Sequence, residues 1–158
     1  MKKSIIIFIG GLILGLVLSA VITVSVLSEK MFVVHESKYG FTETIEQLEK
    51  SAAENQWGIP HCYDLQKTLK VKGGYDVDPV NVFSLCKPEH AYRILGSDEQ
   101  RLVSALMPCR VAVYEKDGKT YFSMLNAGLF SRFMGKEVQE VMGAASSENL
   151  EILQPLID

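Results

Sequence analysis

The sequence predicts an α+β fold: a small, mainly antiparallel sheet with helices packed on one face, preceded by a single transmembrane helix. Three observations carry this expectation. Residues 4–28 hold no charged side chain. The rest of the chain mixes short β-branched runs with segments of helical apolar spacing. Late in the chain, two alternating runs meet at Asp117-Gly118, the dipeptide that suits a two-residue hairpin turn.

The first element is the apolar run Ser4 to Ser28, which as a helix would span about 37 Å at 1.5 Å per residue. That exceeds the roughly 30 Å of a bilayer's hydrocarbon core, so residues 1–28 are expected to be a tilted signal anchor. A cleaved signal peptide is the rival, but its apolar region normally runs about 7–15 residues and ends at a small-x-small site. Here the best pairs are Thr23 with Ser25 and Val26 with Ser28. A lipoprotein anchor is excluded because the first cysteine is Cys62. Lys2 and Lys3 keep the N-terminus cytoplasmic by the positive-inside tendency, which puts residues 29–158 outside, periplasmic or extracellular. Gly11, Gly15 and Ser19 form a small-residue stripe on which two helices can approach, a weak pointer to dimerisation.

Past the anchor the elements follow in order. Met31 to Ser37 reads as a strand, and Ile45, Leu48 and Ala52 place a helix over Thr42 to Asn55. Gly58 to Tyr63 is a short strand. Asp64 then caps a brief helix from Leu65 to Val71 that Gly73-Gly74 ends. Val80 to Cys86 is a strand with Val80, Val82, Ser84 and Cys86 on one face, and Pro88 suits the first turn of a helix to about Leu95. Glu99 to Leu106 adds a helical turn or two, and Cys109 to Glu115 with Lys119 to Leu125 form the hairpin. Three helical segments close the chain: one marked by Leu129 and Phe133, one by Val138, Val141 and Met142, and one by Leu150, Leu153 and Leu156 after an interruption at Gly143-Ala144.

Composition narrows function by exclusion. Of 16 basic residues only Lys2 and Lys3 precede the apolar run, and all 19 acidic residues follow it, so residues 29–158 carry a formal charge of −5. Nucleic acid is therefore an unsuitable partner. No Ser-His-Asp order, paired-carboxylate motif, H-E-x-x-H or phosphate-cradling glycine loop is present.

Chemistry concentrates on Cys62, Cys86 and Cys109, whose separations match no C-x-x-C spacing. Cys86 directly precedes the helix start Lys87-Pro88-Glu89-His90, where free N–H groups and the helix dipole stabilise a thiolate. His90 is placed to reach back across one turn toward it. Cys109 shares parity with Val111 and Val113, toward the expected core. Inert buried thiols and a Cys86–Cys109 disulfide are the alternatives to a functional pair. His35 and His61 read as ordinary strand histidines, and the glutamates at 43, 46, 49 and 54 as one solvated helix face.

The stretches Cys86-Lys87-Pro88-Glu89-His90-Ala91-Tyr92-Arg93-Ile94-Leu95 and Leu106-Met107-Pro108-Cys109, the latter leading into the hairpin, resemble the bacterial and archaeal domain-of-unknown-function family 302 over about residues 31–155. Cys86, Pro88, Ala91, Tyr92, Leu95, Pro108 and Cys109 take the places of that family's motif, and Met107 stands where leucine is usual. The resemblance implies a compact α+β fold, commonly a homodimer, without an established activity. It also implies that the two cysteines sit at neighbouring strand ends.

The leading expectation is a membrane-anchored extracytoplasmic binding or sensor domain. In it Cys86 and Cys109, with His90 or His61 as an optional nitrogen ligand, would form a site for Cu(I), haem iron or a sulfur or thiol compound. The alternatives are a thiol-dependent sulfur-transfer or redox enzyme with Cys86 as nucleophile, and a structural dimerisation module. The sequence names no cofactor and no ligand.

Overall fold

In the computed structural model residues 2–157 are described, apart from the side chains of 2–9, 14, 23, 26 and 28. The chain divides into two units, Met1–Phe32 and Val33–Asp158. The first unit holds one continuous helix, α1, Lys2–Lys30. The transmembrane expectation for residues 1–28 gains no support here: among the described residues no helix is long and apolar enough to cross a membrane. A Cβ at Gly11 or Gly15 would meet nothing within 4 Å, so packing within the chain does not require either glycine.

The second unit is built on a five-stranded sheet of order β1-β5-β4-β3-β2. The strands are β1 Phe32–Glu36, β2 Gly58–Asp64, β3 Val80–Cys86, β4 Cys109–Lys116 and β5 Lys119–Leu125. β2–β3, β3–β4 and β4–β5 are antiparallel. Asp117 and Gly118 both take positive φ, 53° and 73°, which is the left-handed pair a two-residue hairpin turn needs.

Period-two alternation sends Phe83, Leu85, Val111, Val113, Phe122 and Met124 to one face, all essentially buried. Helix α2, Phe41–Glu54, and helix α6, Lys136–Leu153, cover that face. α2 contributes Leu48 and Ala52; α6 and the following 3-10 turn Gln154–Leu156 contribute Ala145, Ile152, Leu153 and Leu156. Ser51 Oγ donates to the Ile152 carbonyl at 2.8 Å and ties the two helices together. After α2, Gln56 adopts a left-handed φ of 62°, and Trp57 N–H donates to the Ala52 carbonyl at 2.9 Å. That reversal turns Trp57 back into the core, where it is 4% exposed.

Four shorter elements complete the unit: α3 Leu65–Gly73, α4 Pro88–Leu95, the 3-10 turn Arg101–Leu106 and α5 Ala127–Ser131. The Asp64 carboxylate accepts from Lys67 N–H at 2.8 Å, the expected cap of α3. Ile94, Val103, Val138 and Val141 make a second small core where α4, the 3-10 turn and α6 meet.

Two expectations are corrected. α6 does not stop at Gly143-Ala144: the stripe Val138, Val141, Ala145, Asn149 and Ile152 is buried along its whole length, and this packing outweighs the roughly 1 kcal/mol that an interior glycine costs. Phe133 marks no helix; it lies beyond α5 and is 81% exposed.

Candidate functional site

A cavity of about 240 Å³ opens where the C-terminal end of β3, the start of β4 and the middle of α6 converge. β3 ends at Cys86, Pro88 starts α4 at once, and Leu85 pairs in register with Cys109. This adjacency brings both cysteines to one cavity wall, with His90 one helical turn further on. The three residues singled out in the sequence thus line one cavity. All three cysteines are free thiols.

Burial pushes the Cys109 thiol pKa up; the neighbouring Asn149 amide pulls it partly back, and the nearby Cys86 pushes it up again. Cys109 is therefore held as a neutral thiol at physiological pH. Cys62 lies elsewhere, exposed on β2 opposite Phe83, with its pKa raised by partial desolvation and by the Glu49 and Asp64 carboxylates. His61 packs its ring 6.2 Å from Tyr63, and His35 lies 5.7 Å from Phe122. Neither histidine lines the cavity, so His61 does not stand beside Cys86 and Cys109 there.

One carboxylate organises the rim. Glu148 Oε2 accepts from Trp57 Nε1 at 2.9 Å and from Lys87 Nζ at 2.7 Å, and His90 Nε2 lies 2.8 Å from Oε1. Burial alone would raise the Glu148 pKa, but the three hydrogen bonds from Lys87, Trp57 and His90 outweigh it and bring it to about 2. An ionised carboxylate only accepts, so His90 donates through Nε2. The Trp57 and His90 rings lie 5.7 Å apart. The network joins the loop after α2, the start of α4 and α6, and it holds His90 in place.

The interior is mostly apolar, with Ile94, Val103, Met107, Met124, Val141 and Met142 in its walls. Asn149, 2% exposed, is the most deeply buried polar side chain of the lining. Its Nδ2 donates to the Ala145 carbonyl at 2.8 Å, while its Oδ1 has no hydrogen-bond partner. Among the described residues no group of three His, Cys, Asp or Glu side chains is placed to hold a metal ion. The cavity is smaller than the roughly 300–1,000 Å³ typical of drug-sized ligands, and a haem macrocycle does not fit it.

Sequence reasoning passed over Trp57, Glu148 and Asn149. One signal was available for Asn149: it is a polar residue at helical spacing inside the apolar series Val138, Val141, Ala145, Ile152. Trp57 and Glu148 are 91 residues apart, and no local pattern links them.

The fold and the cavity define a small α+β domain, its helices on one sheet face and its thiol-lined cavity at one sheet end. The family model described as domain of unknown function DUF302 matches residues 33–155, and the chain belongs to that family. The crystal structure of an uncharacterized conserved protein DUF302 from Bacillus stearothermophilus is similar in fold, with a TM-score of 0.73 at 24% identity, covering 80% of this chain and 98% of that one. No curated protein matches the sequence.

Proposed function

We propose that the chain is a membrane-anchored extracytoplasmic binding or sensor domain whose cavity takes a small, mostly apolar ligand beside the thiols of Cys86 and Cys109. The observation that carries this reading is the convergence of both cysteines on one apolar cavity. Of the ligands that sulfur donors suggest, a small sulfur or thiol compound is favoured. Haem is too large, and a soft metal ion would have two cysteine sulfurs, the methionine thioethers and an imidazole already engaged on Glu148 around it. Binding is favoured over sulfur transfer with Cys86 as nucleophile, since the cavity's one imidazole is engaged on Glu148 and Cys109 is held protonated. Membrane attachment is supported by the uncharged run of residues 4–28 within one 29-residue helix.

Native mass spectrometry and elemental analysis of the full chain, taken from its own membranes after alkaline carbonate washing, test the reading. The expected result is retention in the membrane pellet, a bound organic mass without stoichiometric metal, and fast alkylation at Cys62 with slow alkylation at Cys86 and Cys109. Release into the wash would defeat the anchor. A mass short by one hydrogen pair, with only Cys62 alkylated, would replace the site by a disulfide.

A second copy is the proposed cover for α3 and the edge strand β2. No residue of α3 is buried, and Leu65, Leu69, Val71, Tyr75 and Val77 all stand exposed beside an edge strand able to pair with its own copy about a two-fold axis. Light scattering on the full chain in detergent is expected to give a dimer, and Leu69→Lys with Val71→Lys to give a monomer. A wild-type monomer at all concentrations would rule the interface out.

A further inference from the structure

We infer that the ligand of this cavity is an uncharged, mostly apolar molecule carrying one O–H or N–H donor, and that Asn149 Oδ1 is its acceptor. The inference rests on the binding reading above and deepens it. The orientation of the Asn149 amide follows from its neighbour: the Ala145 carbonyl can only accept, so Nδ2 faces it at 2.8 Å and the oxygen is the free end. That oxygen is closed to solvent and unpartnered, a condition few buried polar groups are left in. Three of the other polar side chains of the lining are committed. Trp57, Lys87 and His90 all engage Glu148, and the Cys109 thiol is a weak donor that makes no hydrogen bond to Oδ1.

Asn149 lines the cavity, and a guest is proposed to reach the enclosed Oδ1 as the amide turns slightly with Nδ2 keeping Ala145. Around that acceptor the walls are aliphatic and thioether side chains, which select an apolar body. An engineered apolar cavity of about 150 Å³ holds benzene, so about 240 Å³ corresponds to roughly ten non-hydrogen atoms. A carboxylate ligand is disfavoured, since it offers Oδ1 no donor and would lie against apolar walls. A ketone of the same shape sets its own acceptor against Oδ1 and leaves both unsatisfied.

The test uses the full chain in lipid nanodiscs with cyclohexanol and cyclohexanone as probes. Trp57, the one tryptophan of the chain, lines the cavity and reports occupancy by its fluorescence. Cyclohexanol is expected to bind about tenfold more tightly than cyclohexanone, the worth of one buried hydrogen bond against one unsatisfied pair. Asn149→Leu is expected to bring that ratio to about one while both probes still bind. Equal binding of the two probes by the wild-type chain overturns the donor inference and leaves the cavity reading standing. No response of Trp57 to either probe, with no slowing of Cys86 or Cys109 alkylation, overturns both. The wild-type comparison stands even if Asn149→Leu does not fold.

Discussion

Leu85→Ala is expected to destabilise the domain by about 3 kcal/mol. Leu85 is fully buried, sits on the core face of β3 between the sheet and its helices, and forms part of the cavity wall. Removing its isobutyl group forfeits the transfer energy of the lost methylene and methyl groups and merges the new void with the existing cavity. The surroundings cannot collapse to fill it: the neighbouring β4 residues, Cys109 and Val111, are fixed by the ladder, Leu85 directly opposite Cys109. For a domain of this size the loss lowers Tm by roughly 10 °C or more. The same change enlarges the cavity, so Cys109 should alkylate faster and the ratio of methylcyclohexanol to cyclohexanol affinity should rise. Leu102→Ala is the control, since Leu102 is 77% exposed and its loss should stay within about 0.5 kcal/mol. Equal Tm values for the two variants would contradict the packing described for β3.

Where the sequence was legible, local chemistry and tertiary context agreed. Asp117-Gly118 announces the hairpin because few other dipeptides accept two successive left-handed residues, and both positions do take positive φ. Pro88 announces α4 because its missing N–H costs nothing in a first helical turn. These two signals also place Cys86 and Cys109 at strand ends, which is why the thiols and His90 could be singled out beforehand. The failures have the opposite cause. Gly143 reads as a helix stop, but the buried stripe on α6 carries the helix through it. Phe133 reads as the marker of a short helix, but it lies beyond the end of α5 and is exposed. The rim of the site was illegible, since Trp57, Lys87, His90 and Glu148 come from three separate segments and meet only when α6 crosses the sheet. Such a network leaves no periodicity in the sequence to read.

Glu148→Gln is expected to cost about 2–3 kcal/mol at pH 7 and, in contrast to the Leu85 variant, to show a cost that depends on pH. The Glu148 pKa is lowered from 4.5 to about 2 in the folded protein. A carboxylate whose folded pKa lies below its unfolded one binds fewer protons in the native state, so its stabilisation is fully present above about pH 4.5. It is lost progressively as pH falls from 4.5 toward 2. The full shift would be worth about 3.4 kcal/mol at 1.36 kcal/mol per unit, and the partial exposure of Glu148 reduces that through solvent screening. The glutamine oxygen can still accept from Trp57 Nε1, but the amide NH2 then faces His90 where an acceptor stood, and Lys87 is left without its counter-charge. Urea unfolding of the full chain, followed through Trp57, should therefore show wild type and Glu148→Gln separated by about 2–3 kcal/mol at pH 7 and converging near pH 2. A separation that stays constant over that range would mean that Glu148 acts by shape alone. Lys87→Met should reproduce part of the loss at pH 7, because it removes one of the three hydrogen bonds that together outweigh the burial of the carboxylate. Combining it with Glu148→Gln should cost less than the sum of the two, as expected for residues that share one network.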